Sequence, residues 1–398
     1  MTAAQEPLLP PSRASGLEAG GSSSRLFEEL PWQIPHRRQS GAGLRLCASL
    51  VLVVTAAAAL QGTVMPSLCA RGWRWGCACA PPDAAWPRFL VVGDWGRRGA
   101  HNQTHTAKAM ARRAAAMGAH FVVSTGDNIY PSGLLSPADP AFKESFTHVY
   151  HQRSLQCWAI IACHPLRARL PRPGQDYGES NKPDNPACGA WDEGCFFSPL
   201  HQLDARLAQR DPRWRCACSY SLQFASGQVE LFFIDTTPLM AETYEKAPWR
   251  DNRGGLTEQS WEAQLVELEA QLSWSAARWK LAVGHHPIRT NHRAWGHVFK
   301  EMQERVEPLL IRYGVAAYFN GHDHNLQHLH APEAGYHQIT SGAGSRVSPK
   351  FFGTKDSPFQ HGGSGFVAVT MQPQALRVEY WGIQHTDQPL FAIDVPPR

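Results

Sequence analysis

Four short segments of this sequence place carboxylates and imidazoles directly behind a glycine. They are "GDWG" with Asp94, "GDNIY" with Asp127 and Tyr130, "GHHP" with His285 and His286, and "GHDHN" with His322, Asp323, His324 and Asn325. A single Gly-Asp or Gly-His carries little information. Several of them in one cleft would repel or desolvate one another unless cations neutralised them, so the set points to bound metal.

The elements that must position these groups are legible around them. "RFLVV" (Arg88–Val92), His120–Ser124, Lys280–Val283 and Val315–Phe319 are short apolar runs of the kind a fully buried strand shows, and "VELFFIDTT" is another, ending on Asp235. An alanine-rich helix closing near Gly118 separates the first two. A second helix, with Trp261, Leu265, Leu268 and Leu272 on one face, precedes "GHHP". "GFVAVTMQPQALRVEYWGI" alternates like an antiparallel hairpin. Strands alternating with helices predict an α/β architecture with both sheet faces covered. In such sheets ligands collect at the carboxyl ends of the strands, which is where the Asp and His residues stand.

The four segments, in order and spacing, resemble the calcineurin-like metallophosphoesterases, and within them the purple acid phosphatases of the tartrate-resistant type. The resemblance runs from about Arg88 to near the C-terminus, includes "SGAG" (Ser341–Gly344), and is interrupted at 163–200. Generic members of the wider group carry a His two residues after the first Asp, where this chain has Gly96. Tyr130 stands where the purple enzymes place a tyrosinate on ferric iron. The fold this implies is a four-layer α/β/β/α sandwich of two mixed sheets flanked by helices. The ligand set it implies is Asp94, Tyr130 and His324 on Fe(III), Asp127 bridging, and His285 and His322 on a second divalent metal (Fe, Zn or Mn). Hard oxygen donors suit Fe(III) and imidazoles suit a divalent transition ion. The implied activity is hydrolysis of phosphate monoesters by a metal-bound hydroxide. Asp323 and Asn325 are expected to orient the ligand histidines, and His286 and His292 are candidates for contacting substrate phosphate.

One block of that family is absent. A Gly-Asn-His-Asp segment, whose Asn binds the divalent metal and whose His meets the phosphate, should follow a strand between the second and third metal segments. The strand is present as "QCWAIIA" (Gln156–Ala162), but Cys163-His164-Pro165 follows it, and no Gly-Asn-His-Asp occurs in the chain. From there to about residue 200 the sequence is rich in Pro, Gly and mixed charge without helical or strand period, an uncommon stretch inside a domain. Three readings stand side by side. The segment is a splice or gene-model error, or an insertion in which His164, Asn181, Asp184 or Asn185 replaces the missing groups, or the mark of an impaired or inactive pseudophosphatase that binds without turning over. His164 is the candidate catalytic residue on the second reading.

Upstream, residues 1–43 are rich in Pro, Gly and Ser and read as a disordered cytosolic tail. Leu44–Met65 is an apolar run of about the ~20 residues that cross a bilayer, with Arg45 as its one charge, and reads as an uncleaved signal-anchor. A cleaved signal peptide and a buried helix are the alternatives. Residues 66–87 form a linker and 88–398 the catalytic domain. Anchored or secreted, the body enters the secretory pathway. The sequon Asn102-Gln103-Thr104 and ten cysteines agree with that, the cysteine pairing being open and the Cys77/Cys79 and Cys216/Cys218 pairs spaced too tightly for a zinc knuckle. A net charge of +4 with no dense basic run excludes a nucleic-acid surface.

Overall fold

Alternate residues of β1 (Arg88–Val92) enter different cores. Phe89 and Val91 point one way, to a core shared with Leu281, Val283 and Phe319; Leu90 and Val92 point the other, to Ala107, Met110 and Ala114 of α1 (Gln103–Met117). A strand buried on both faces reads as an unbroken apolar run, which is why "FLVV" lacks polar alternation. Helix α1 ends as expected at Gly118, which takes a left-handed conformation (φ 62°) that glycine adopts without a Cβ penalty.

The computed structural model describes residues 85–398 except 132, 162–197, 246–255, 293–298, 352, 354–355 and 386. The expected cytosolic tail, the apolar run 44–65, most of the 66–87 linker and nearly all of the 163–200 segment, His164 included, lie outside the described residues. Among the described residues no helix is long and apolar enough to cross a membrane.

The remaining strands, in order, are β2 (Phe121–Ser124), β3 (Trp158–Ile161), β4 (Cys216–Ala217), β5 (Tyr220–Phe224), β6 (Val229–Phe233), β7 (Trp279–Val283), β8 (Ala317–Asn320), β9 (Leu326–Leu329), β10 (His337–Ser341), β11 (Phe359–His361), β12 (Gly365–Met371), β13 (Leu376–Gly382) and β14 (Phe391–Val395). They form two mixed seven-stranded sheets, ordered β14-β13-β12-β1-β2-β3-β4 and β11-β9-β10-β8-β7-β6-β5. The expected hairpin is β12–β13, with Gly365 opposite Gly382 and Met371 opposite Leu376. Strands β1, β2, β3 and β4 run parallel, as do β6, β7, β8 and β10, so within each sheet the segments after these strands emerge at one edge.

The two sheets share a core of residues from both. Helix α1 covers the outer face of the first. Helices α2 (Trp261–Trp274) and α3 (Glu307–Arg312) cover the second through Leu268, Leu272 and Leu310 against Ala282 and Tyr318. Of the four apolar residues expected on α2, Leu268 and Leu272 are fully buried, while Trp261 and Leu265 pack at the margin of the core. Cys157, at the entry to β3, is disulfide-bonded.

Candidate metal centre

The turns that leave β1, β2 and β8 are tight enough to force side-chain-bearing residues into left-handed backbone: Asp94 (φ 59°), Asp127 (φ 49°) and His322 (φ 69°). Each costs about 1–2 kcal/mol. The buried apolar residues Phe89–Val92 and Phe121–Val123, at about 1.5–3 kcal/mol apiece, outweigh that cost. The flanking glycines are there for close approach. A Cβ on Gly93 would stand 2.2 Å from Thr125 Oγ1, and one on Gly342 of "SGAG" 2.0 Å from the Asp323 carbonyl. Asp94 N–H donates to the Gly126 carbonyl (3.1 Å) and His322 N–H to Asp94 Oδ2 (2.8 Å), so the three turns hold one another, while Gly93 N–H donates to the Ser341 carbonyl (2.7 Å). Trp95, fully buried, anchors the first turn among Phe146, Tyr150, Trp158 and Trp214 and donates from Nε1 to Ser124 Oγ (2.9 Å).

Four ligand atoms converge, one each from Asp94, Asp127, Tyr130 and His324. Tyr130 Oη lies 2.9 Å from Asp94 Oδ1, 2.5 Å from Asp127 Oδ2 and 3.1 Å from His324 Nε2, and His324 Nε2 lies 3.2 Å from Asp94 Oδ1. The other oxygen of Asp127 faces a second set: Asp127 Oδ1 is 3.3 Å from His285 Nε2, which is 3.3 Å from His322 Nδ1. A first-row ion with bonds of about 2.1 Å requires adjacent donors roughly 3 Å apart, and both sets have that spacing. Asp127 alone belongs to both.

The charges agree with the spacing. Burial pushes the Asp94 carboxyl up, but the His324 and His285 imidazoles and the Tyr130 hydroxyl outweigh it and hold it below the ordinary carboxylate range. Asp127 goes the other way: burial and the neighbouring Asp94 raise it despite His285. Burial and both carboxylates raise Tyr130 well above an ordinary phenol. A pocket that forces protons onto buried oxygens by crowding negative charge is one that a cation fits. The hard oxygens sit on the fully enclosed side, and His322 is half-buried at the open side.

Gly96 and Tyr130 are one structural choice. Tyr130 N–H donates to the Gly96 carbonyl (2.7 Å), and a Cβ on Gly96 would stand 1.8 Å from the Asn128 carbonyl oxygen. The turn that brings Tyr130 inward therefore occupies the space a side chain at position 96 would need.

Four expectations meet a different arrangement. Asp323 and Asn325 do not brace the ligand imidazoles through their side-chain hydrogen bonds: Asp323 accepts from Thr290 and Gln327, and Asn325 accepts from Gln327 (2.9 Å). His285 is instead oriented by Nδ1 donating to the Thr125 carbonyl (2.9 Å). His292 is fully buried, with Nε2 2.8 Å from Ser348 Oγ and Nδ1 3.5 Å from Asp323 Oδ1, so the loop after "GHHP" folds it inward. Both nitrogens of His286 are also used internally. Thr236 Oγ1 accepts the backbone N–H of His285 and of His286, so its own proton goes to His286 Nδ1 (2.8 Å), and His286 Nε2–H donates to Tyr244 Oη (2.8 Å). Burial, with His285 adding to it, pushes His286 well below an ordinary imidazole and keeps the ring neutral. Donor atoms of His285, His286 and His322 do lie within 4.8 Å of one another. The two bonds to Thr236 and Tyr244 nevertheless make His286 a clamp on the turn that carries His285. Thr236 and Tyr244 escaped sequence reasoning because nothing but the fold brings them to "GHHP". Asn102 is exposed at the start of α1 and donates from Nδ2 to Ser364 Oγ (3.1 Å).

Comparison with known proteins adds an independent line. The chain is 34% identical over 307 residues to purple acid phosphatase 17 of Arabidopsis thaliana, covering 74% of this chain and 80% of that protein. It is 29% identical over 377 residues to tartrate-resistant acid phosphatase type 5 of Homo sapiens, covering 86% and 98%. No family model matches the chain. Among solved structures, GAP50, the anchor in the inner membrane complex of Plasmodium, has a TM-score of 0.56 at 19% identity over 78% of this chain and 89% of that one, a likeness of fold.

Proposed function

The chain belongs to the purple acid phosphatases, metal-dependent hydrolases, and we propose that it hydrolyses phosphate monoesters at a dinuclear centre of Fe(III) and a divalent ion (Fe, Zn or Mn). The observation that carries the reading is the shared carboxylate, with Asp127 Oδ2 in the Tyr130 set and Oδ1 in the His285 set. Asp94, Tyr130 and His324 would hold the ferric ion, His285 and His322 the divalent one, and Asp127 both. Bound there, the pair supplies Lewis-acid charge for a phosphate ester and activation of water.

The protein's own part is placement. Tyr130 Oη–H donates to both Asp94 Oδ1 and Asp127 Oδ2, and this is the proton that a metal held there would displace. The Thr125 carbonyl fixes which nitrogen of His285 faces Asp127. The half-buried side at His322 is the approach for substrate.

As part of the same proposal, residues 44–65 anchor the chain, 88–398 form a catalytic domain in the lumen or outside the cell, and Asn102 carries a glycan. The test is the purified full chain, assayed with an aryl phosphate at mildly acidic pH and analysed for metal. Well-folded protein with neither turnover nor bound iron overturns the proposal. One observation favours a second reading, an impaired or inactive binding protein: the Gly-Asn-His-Asp block is missing after β3. One iron per chain, with phosphate bound but not released from an ester, would select that reading.

A further inference from the structure

The guanidinium carbon of Arg97 lies over the ring of Tyr130, 3.5 Å from the ring centroid. Two hydrogen bonds hold it there. Its backbone N–H donates to Gln103 Oε1 (2.9 Å), and its Nε–H donates to Ser345 Oγ (3.1 Å). Ser345 in turn donates to the carbonyl of Asp94 (2.5 Å), so the arginine is tied to the backbone of a candidate ligand as well as to the face of another. The Arg97 side chain is half-buried at the rim of the Tyr130 set and makes no ion pair among the described residues. A structural guanidinium is ordinarily paired with a carboxylate. This one spends its charge on an aromatic face, and that ring is the one whose oxygen sits between Asp94 and Asp127.

We propose that Arg97 is a positioning residue that tunes the electron donation of Tyr130 to a ferric ion, acting through the ring face. The proposal rests on Tyr130 being the ferric ligand. A cation within about 6 Å of an aromatic centroid is attracted by the ring's electrons, and more strongly when the ring carries phenolate charge. It lowers the energy of the phenolate donor orbitals. Two consequences follow for a phenolate–Fe(III) pair: the charge-transfer absorption moves to shorter wavelength, and reduction of the iron becomes easier. No bond to iron is made by Arg97 itself. Lysine cannot replace it fully, because the planar guanidinium stacks while an ammonium does not.

The experiment uses iron-loaded full-length protein, with absorption spectra and reduction potentials for the parent, Arg97→Met, Arg97→Lys and Ser345→Ala. Arg97→Met is expected to shift the visible band to longer wavelength and lower the potential. Arg97→Lys and Ser345→Ala should fall between it and the parent. Band position separates tuning from simple support, since partial unfolding reduces the amount of bound iron without moving the maximum of what remains. An unchanged maximum and potential in iron-bound Arg97→Met overturns the proposal alone. If that variant takes up no iron, unchanged bands in Arg97→Lys and Ser345→Ala overturn it instead. A parent protein that binds iron without a visible band overturns the Tyr130 assignment, and this proposal with it.

Discussion

Replacing Gly96 by alanine adds one methyl group and tests the geometry of the whole centre. The new Cβ would stand 1.8 Å from the Asn128 carbonyl oxygen, 2.7 Å from its carbon and 2.9 Å from the Ile129 Cα, all of them backbone atoms. A carbon–oxygen contact needs about 3.3 Å, so the turn from Gly126 to Tyr130 must retreat by roughly 1.5 Å. Metal donors tolerate displacements of about 0.5 Å. Asp127 and Tyr130 both ride on that turn, and the Tyr130 N–H bond to Gly96 (2.7 Å) would stretch with it. Overpacking costs about 1–3 kcal/mol and the lost hydrogen bond about 1, so Gly96→Ala should be destabilised by roughly 2–4 kcal/mol. It should also lose iron and visible absorption together. Denaturant unfolding of the metal-free protein, iron analysis and an absorption spectrum suffice. A variant with parental stability, iron content and spectrum would refute the claim that Gly96 exists to admit the Tyr130 turn.

Other outcomes follow from the same geometry. Asp127→Asn should empty both metal positions, whereas His285→Ala should lower the divalent ion while iron is retained; equal losses in metal analysis would argue against a shared carboxylate. His286→Ala breaks the bonds to Thr236 and Tyr244 and should cost ~2–4 kcal/mol in denaturant unfolding, with the divalent ion affected before iron. Stability should also depend on pH through the His328–His337 pair, whose rings are 2.9 Å apart at Nε2 and Nδ1. Burial, then the neighbouring imidazoles, pushes His328 down to about 3; burial, then His330 and Arg398, pushes His337 down to about 4, against an ordinary 6.5. Both are neutral in the fold, and the unfolded chain gains protons first. Stability is therefore complete above pH 6.5 and falls as pH drops toward those values, by roughly 3 kcal/mol at pH 4 after discounting for partial exposure. Substituting Gln at both positions should flatten that acid limb in denaturation series from pH 4 to 7.

The six candidate ligands, the alternation of strands with helices, the closure of α1 at Gly118 and the β12–β13 hairpin were all legible in the sequence. The reason is local. A strand buried on both faces must be apolar throughout, and the tight turn leaving it demands glycine, so "LVVGD" and "AVGHH" state both facts within a few residues. The absence of a Gly-Asn-His-Asp block is equally a matter of sequence, visible as a strand followed by Cys163-His164-Pro165. Direction and partnership were decided by the tertiary structure alone. Position does not reveal that His292 turns inward to Ser348, that His286 is clamped between Thr236 and Tyr244, or that Asp323 serves Thr290 rather than a candidate ligand imidazole. These contacts join residues from 33 to 56 positions apart, or 42 to 50 in the case of His286, and only chain folding brings them together. The same holds for Arg97 on Tyr130: the sequence supplies both residues, and the packing of two turns puts one against the face of the other.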